Sequence, residues 1–223
     1  MMNSMDVIDL GIIEYCRADF LQREILRLRI KNEIPDTLIL LEHTPVITVS
    51  RRSNRKNILA GEDELLKYGI KLAHTDRGGD VAYHGPGQLV AWPIFDLKNH
   101  GRDIHLFLRN LEKVIIDALG EFGVNAARSE GFRGVWVGTR KISSIGVGIK
   151  HWVSYHGVSL NIDVNHKHLS CIIPCGLKGK QQVSLSQISR CAPSMALAKE
   201  VLVEKFSDTF NLNAVGAGKA LVA

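Results

Sequence analysis

The chain has 223 residues, 45% hydrophobic and 23% charged, with a formal net charge of +5. That length and balance fit one well-filled domain, exclude intrinsic disorder, and leave no apolar run long enough to cross a bilayer as a helix. The basic charge suits an acidic macromolecular partner and says little about fold.

The N-terminal stretch MMNSMDVIDLGIIEY shows neither a secretory leader pattern nor an organelle-import pattern, so the expected compartment is the cytoplasm. In a reducing cytosol Cys16, Cys171, Cys175 and Cys191 are expected as free thiols. DVIDLGIIEY reads as a strand, followed by a helix with Leu21, Ile25 and Leu28 at helical spacing and Pro35 beyond its end. TLILLEH and VITVS read as buried strands, and EDELLKYG as a short helix closed by Gly69. IKLAHT and LVAWPIFDL are strand candidates on either side of a glycine-rich segment.

Asp103 is a good N-cap residue. It precedes a broad apolar face made by Ile104, Phe107, Leu108, Leu111, Ile115, Ala118, Leu119 and Phe122. GVWVG, KISSIGVGI and WVSYHGVSLNI read as an antiparallel meander. A last helix starts at Ser194, with Leu197, Val201 and Phe206 inward. The tail from about residue 211 is expected to be frayed. No repeat or linker divides the chain, so a single catalytic domain over 1–223 is expected. Helices fall among strands without regular βαβ alternation, which predicts an α+β fold with a mixed, mostly antiparallel sheet. No GxGxxG and no phosphate loop is present.

Four features could carry chemistry. The segment RGGDVAYHGPGQLVAWP, residues 77–93, holds four glycines beside Arg77, Tyr83 and His84, more than hairpin turns require. Cys175 stands in IIPCGLKGK, where a proline before it and a glycine after it suggest a tight turn. Such a turn can present a thiol as a nucleophile, although most free cysteines are buried small hydrophobes. A nucleophilic thiol needs a cation or base, and Lys141, His84 and His156 all qualify. Cys171 and Cys175 with His166 and His168 have spacings unlike those of structural zinc sites, so no metal is expected. The basic run Arg51, Arg52, Arg55, Lys56 reads equally as a solvated loop or a docking patch, and no nucleic-acid motif accompanies it.

Taken in order, LLEHTPVIT, RGGDVAYHGPGQLV, RKISSIG, SYHGVSLNI and IIPCGLKG resemble the lipoyl(octanoyl) transferases over residues 38–188. That family is similar in fold to biotin and lipoate protein ligases, an α/β sandwich. The resemblance implies transfer of an octanoyl group from acyl carrier protein to a cysteine, then to a specific lysine of a lipoyl domain. The acceptors would be 2-oxoacid dehydrogenase complexes and the glycine cleavage H protein. Matched by position, the cysteine is Cys175 and its activating lysine is Lys141. Substrate would line Arg77, Gly78, Gly79, Asp80, Val81, Ala82, Tyr83 and His84. It would also line Ser144, Ile145 and Gly146, and Gly157, Val158 and Ser159, with His156 in support.

The resemblance implies no cofactor, since the donor carries its own phosphopantetheine, and no nucleic-acid or membrane partner. The four glycines would then let an acyl chain approach the backbone. The chain departs from the family pattern at Ser50, Ala82 and Trp92, of which the last two bear on pocket shape. Two rivals remain at this point: a lipoate-protein ligase that adenylates free lipoate, and a non-catalytic carrier-binding module.

Overall fold

Strand β2 (Asp36–His43) is buried at nearly every position because both of its faces are covered. Leu38 and Leu40 enter one core cluster, while Ile39 and Leu41 enter another. β6 (Gln88–Ile94) divides in the same way, with Leu89 and Ala91 on one side and Val90, Trp92 and Ile94 on the other. A period of two with both faces apolar is the signature of a central strand between helical layers.

The computed structural model describes residues 3–51, 53–173, 181–189 and 192–216. Among them, eight strands form one sheet in the order β11-β1-β2-β6-β10-β9-β8-β7. The remaining six are β1 (Asn3–Ile13), β7 (Ala127–Ser129), β8 (Phe132–Val137), β9 (Arg140–Lys150), β10 (Val153–Asn161) and β11 (Leu212–Gly216). Only the β1–β2 and β1–β11 pairings are parallel. The mixed, mostly antiparallel sheet of an α+β sandwich is therefore observed. A second sheet, in the order β4-β3-β5, joins β3 (Val46–Ser50), β4 (Lys71–Thr75) and β5 (Ala82–His84).

Helix α1 (Tyr15–Ile30) covers one face of the large sheet, and α3 (Ile104–Glu121) and α5 (Met195–Phe210) cover the other. α2 (Glu62–Lys67) and α4 (His166–Leu169) pack beside the small sheet. Asp103 caps α3 as expected, accepting from the N–H groups of His105 and Leu106. Ser194 caps α5 by accepting from Leu197 N–H.

The structure alters three expectations. The buried stripe of α1 is Tyr15, Ala18, Gln22, Ile25, Leu26 and Arg29 rather than one through Leu21 and Leu28. Gln22 and Arg29 lie in it because each finds polar partners: Arg29 donates to Asp36 at 2.8 Å, and Gln22 bonds His156. On α5 the inward residues are Ala198, Leu202, Phe206 and Phe210, while Leu197 is exposed. Residues Leu212–Gly216, expected to be frayed, pair in parallel with β1 as β11.

Candidate active site

The loop from Arg77 to Asp80 and the first residues of β5 close over β9 and β10, and a cavity of about 50 Å³ lies between them. Arg77, Gly79, Asp80, Val81, Ala82, Tyr83 and His84 form one wall. Ser144, Ile145 and Gly146 on β9 and Gly157, Val158 and Ser159 on β10 form the other. These two triplets are cross-strand partners: Gly146 faces Gly157, Ile145 faces Val158, and Ser144 faces Ser159. Residues far apart in sequence are thus in register on a single β-ladder. Gly78 lies just outside, on an adjoining groove.

Arg77 braces its own loop. Its guanidinium donates to Gly78 O at 3.0 Å, Asp80 O at 2.7 Å and Thr48 Oγ1 at 2.8 Å. Asp80 accepts from Val81 N–H at 2.8 Å and from Asn54 N–H at 3.2 Å. It also accepts from the Asn57 side chain, which ties the basic run to the cavity rim. Tyr83 directs its hydroxyl away to His168 Nδ1, 2.8 Å distant.

Only two of the four glycines, Gly78 and Gly79, border the cavity or its adjoining groove. A Cβ on Gly85 would collide with the Tyr83 ring, 2.6 Å from its Cζ. One on Gly87, which has φ +81°, would collide with the Asp163 carbonyl. Both glycines are required by the protein's own packing and neither lines the cavity, so the expectation that all four serve substrate approach is corrected. Gly79 does line it, at φ +98°.

The two candidate histidines differ. The backbone N–H of His156 donates to Gln22 Oε1 at 2.9 Å, and its Nδ1 accepts from Gln22 Nε2 at 3.0 Å. Its Nε2 donates to Asp76 Oδ1 at 3.0 Å. Both ring nitrogens are engaged, and the residue sits at φ +54°, a conformation held by the Gln22 clamp. The bond from His156, with Arg23 assisting against burial, holds the Asp76 carboxyl well below the usual carboxylate range.

His84 is 9% exposed. Its Nδ1 lies 2.6 Å from Gln88 Oε1, while Gln88 Nε2 donates to Asn161 Oδ1 at 2.8 Å and Asn161 Nδ2 donates to Val183 O at 3.1 Å. The proton of His84 is therefore on Nδ1. Burial, and then the neighbouring His43, keep His84 neutral with a pKa well below that of a free histidine. Burial likewise pushes His43 down to about 4.

Lys141 is almost fully buried, at 1% exposure. Its ammonium lies 5.7 Å from the centre of the Trp136 ring. A Cβ on Gly134 would come 2.7 Å from Lys141 Cε, so that glycine makes room for the lysine stem. The main chain of Lys141 pairs in parallel with Gln182: Lys141 N–H donates to Gln181 O, and Val183 N–H donates to Lys141 O, each at 2.9 Å. Cys175 lies outside the described residues. Ile172 and Gln182, on either side of its segment, both line the cavity. Sequence reasoning missed Gln182, Ile172, Tyr15 and Val90 as lining residues. Trp92 also lines the cavity, consistent with its having been singled out as a departure.

Cys171 is buried, and its thiol lies 3.4 Å from Lys167 O. Among the described residues no group of three or more His, Cys, Asp or Glu is placed to hold a metal ion, and no helix is long and apolar enough to cross a membrane.

A family model described as the lipoyl protein ligase A/B catalytic domain matches residues 18–207. The chain is 48% identical over 167 residues to an octanoyltransferase of Clostridium kluyveri, covering 75% of this chain and 72% of that protein. It is 41% identical over 212 residues to an octanoyltransferase of Alkaliphilus metalliredigens, covering 95% and 97%. Its fold is similar to a bi-partite lipoate protein ligase from Thermoplasma acidophilum, with TM-score 0.76, 16% identity and coverage of 97% and 87%. It is also similar to a biotin protein ligase from Aquifex aeolicus, with TM-score 0.52, 13% identity and coverage of 95% and 70%.

Proposed function

The chain belongs to the lipoyl protein ligase A/B catalytic-domain family and is a transferase enzyme of the octanoyltransferase kind, and we propose that it moves octanoyl from acyl carrier protein to a lipoyl-domain lysine through a thioester on Cys175. One observation carries this reading. The cavity is walled by the family-matched triplets of β9 and β10, and it is bounded by the two residues that flank the Cys175 segment.

The first half-reaction exchanges thioesters. The Cys175 thiolate attacks the octanoyl carbonyl, and the carrier's thiolate leaves and takes a proton from the Lys141 ammonium. In the second, the amine of the acceptor lysine attacks the new thioester, an amide forms, and Cys175 leaves as thiolate. Exchange between thioesters is nearly isoenergetic and amide formation is downhill, so neither half calls for ATP. Lys141 favours the thiolate by its charge in the first half and accepts the amine's proton in the second. Support comes from the main-chain pairing of Lys141 with Gln181–Val183, next in sequence to the Cys175 segment. Of the other candidate bases, His156 has both ring nitrogens occupied.

Acceptors would be lipoyl domains, as for the Thermoplasma ligase described with its E2 lipoyl domain. The basic run tethered to Asp80 suits an acidic carrier, and the reaction would run in the cytoplasm without a cofactor.

Mass spectrometry of the intact protein after incubation with octanoyl-acyl carrier protein tests the reading. An octanoyl adduct on Cys175 is expected, lost in Cys175→Ala and retained in Cys171→Ala. An adduct that persists in Cys175→Ala, or ATP-dependent release of pyrophosphate with free lipoate, would overturn it.

A further inference from the structure

Beside the cavity lies a wider groove of about 660 Å³. It shares Gly79, Asp80, Ile145 and Gly146 with the cavity and continues over Val147 and Ile149, with Ile104 and Leu108 of α3 on its far wall. Its distinctive feature is the edge of β9. β8 pairs with β9 only as far as Ser143, whereas β10 pairs with β9 from Ser143 to Lys150. From Ser144 to Ile149 no described strand pairs with that side of β9, and the Arg77–Gly78 turn rests on it at Val147. Every residue there is half-exposed.

The backbone groups on that open side can be named. Val147 O accepts from Gly78 N–H at 3.0 Å, so Val147 points its main-chain groups to the open side. In an antiparallel strand the N–H and C=O of one residue point the same way and alternate along the chain. Ile145 and Ile149 therefore present theirs to the groove as well. Consistently, Ser154, paired with Ile149, sends its N–H to Phe95 O on the other side of β10 at 2.9 Å. Among the described residues, Gly78 supplies the one bond to this edge. The edge spans about 13 Å at 3.3 Å per residue. It carries no Lys, Glu or Pro between Ser144 and Ile149, the residues that normally protect a free strand from pairing.

We propose that this edge is the docking site for the acceptor protein: an extended strand beside its target lysine takes the place of Gly78 and pairs with β9 at Ile145–Ile149. The proposal rests on the acyl-transfer reading above. A strand edge repeats donors and acceptors at peptide spacing, and another peptide strand is its chemical complement. Continuity with the cavity through Ile145 and Gly146 then brings a lysine on that strand to the reacting thioester. Main-chain pairing supplies affinity independent of most side chains, so acceptors of differing sequence can dock alike.

The test has two arms. Amide hydrogen exchange is followed in wild type with and without an isolated lipoyl domain. The amides of Ile145, Val147 and Ile149 are expected to slow at least fivefold on adding the domain. In the second arm, Ile149→Pro removes one donor from the open edge and spares the β9–β10 ladder. It should raise KM for the lipoyl domain at least tenfold and leave the rate of enzyme acylation by the octanoyl donor unchanged. Amides that the domain leaves unprotected overturn the proposal, as do amides protected by the donor alone. Protection that rises with enzyme concentration in the absence of acceptor makes the edge a self-interface and also overturns it. Failure of wild type to become acylated sinks the acyl-transfer reading instead, and the exchange arm still reports docking.

Discussion

The two ends of the segment Arg77–Gly87 use glycine in opposite ways. At the far end, Gly85 and Gly87 are filled by the protein itself, the first by the Tyr83 ring and the second by the Asp163 carbonyl. At the near end, a Cβ on Gly78 or Gly79 would meet only a single atom at 3.3 Å, and these glycines face the groove and the cavity. The ionisable groups divide in parallel. The far end rests on neutral, buried His43 and His84, and the near end is flanked by the charged Asp76. Glycine-rich sequence thus marks close approach without saying whether the approaching group is a substrate or the fold.

The largest effect expected is from Gly87→Ala. Positive φ costs about 1–2 kcal/mol for a non-glycine residue, and overpacking against fixed backbone adds up to ~3 kcal/mol. A loss of about 4 kcal/mol in denaturant unfolding is predicted, and a loss below about 1 kcal/mol would erase the distinction between the two ends.

The next concerns acid. His43 binds its proton only near pH 4 when folded, against 6.5 for the ordinary side chain. The unfolded chain therefore gains protons first, and stability falls as pH drops from about 6.5 to about 4. The loss from His43 alone is on the order of 3 kcal/mol. Asp76, whose carboxyl is held low, contributes stability that is present above the ordinary carboxylate pKa and lost below it. It adds to the slope only toward the acid end of the histidine window. His43→Leu should lessen the slope of stability against pH between 6.5 and 4 without abolishing it, because His84 contributes with the same sign, and an unchanged slope would contradict a buried neutral histidine.

The smallest change in stability is expected for Gly78→Ala, which has an ordinary φ and one contact at 3.3 Å. It should cost under ~1 kcal/mol, within the range of surface substitutions. On the proposed function it should nonetheless lower kcat/KM for octanoyl transfer about tenfold by narrowing the groove mouth. Equal effects of Gly78→Ala and Gly87→Ala on stability would collapse the comparison.

Much of this was legible in the sequence. The meander β8–β9–β10 follows from period-two runs separated by turns, and the triplets at 144–146 and 157–159 become register partners once those strands are drawn. The Asp103 cap was visible because its signal is local. The face of α1 was not, because periodicity counts apolar residues, and Gln22 is buried by a partner 134 residues away. β11 was hidden because its pairing with β1 spans the whole chain. Gln182 joined the cavity through a main-chain bridge to Lys141, which no side-chain pattern announces.

The amides of Gln88 and Asn161 do more than satisfy buried atoms. They form a chain of fixed polarity from His84 Nδ1 to Val183 O, and the chain cannot be reversed without turning both amides over. His84 is thereby locked into one tautomer, with a bare lone pair on Nε2. This ring can receive a hydrogen bond there and cannot give one. A carbonyl or an oxyanion approaching Nε2 meets electron density, whereas an amine or hydroxyl is welcomed. For inhibitor chemistry, a donor placed against His84 should gain affinity and an acceptor in the same place should lose it.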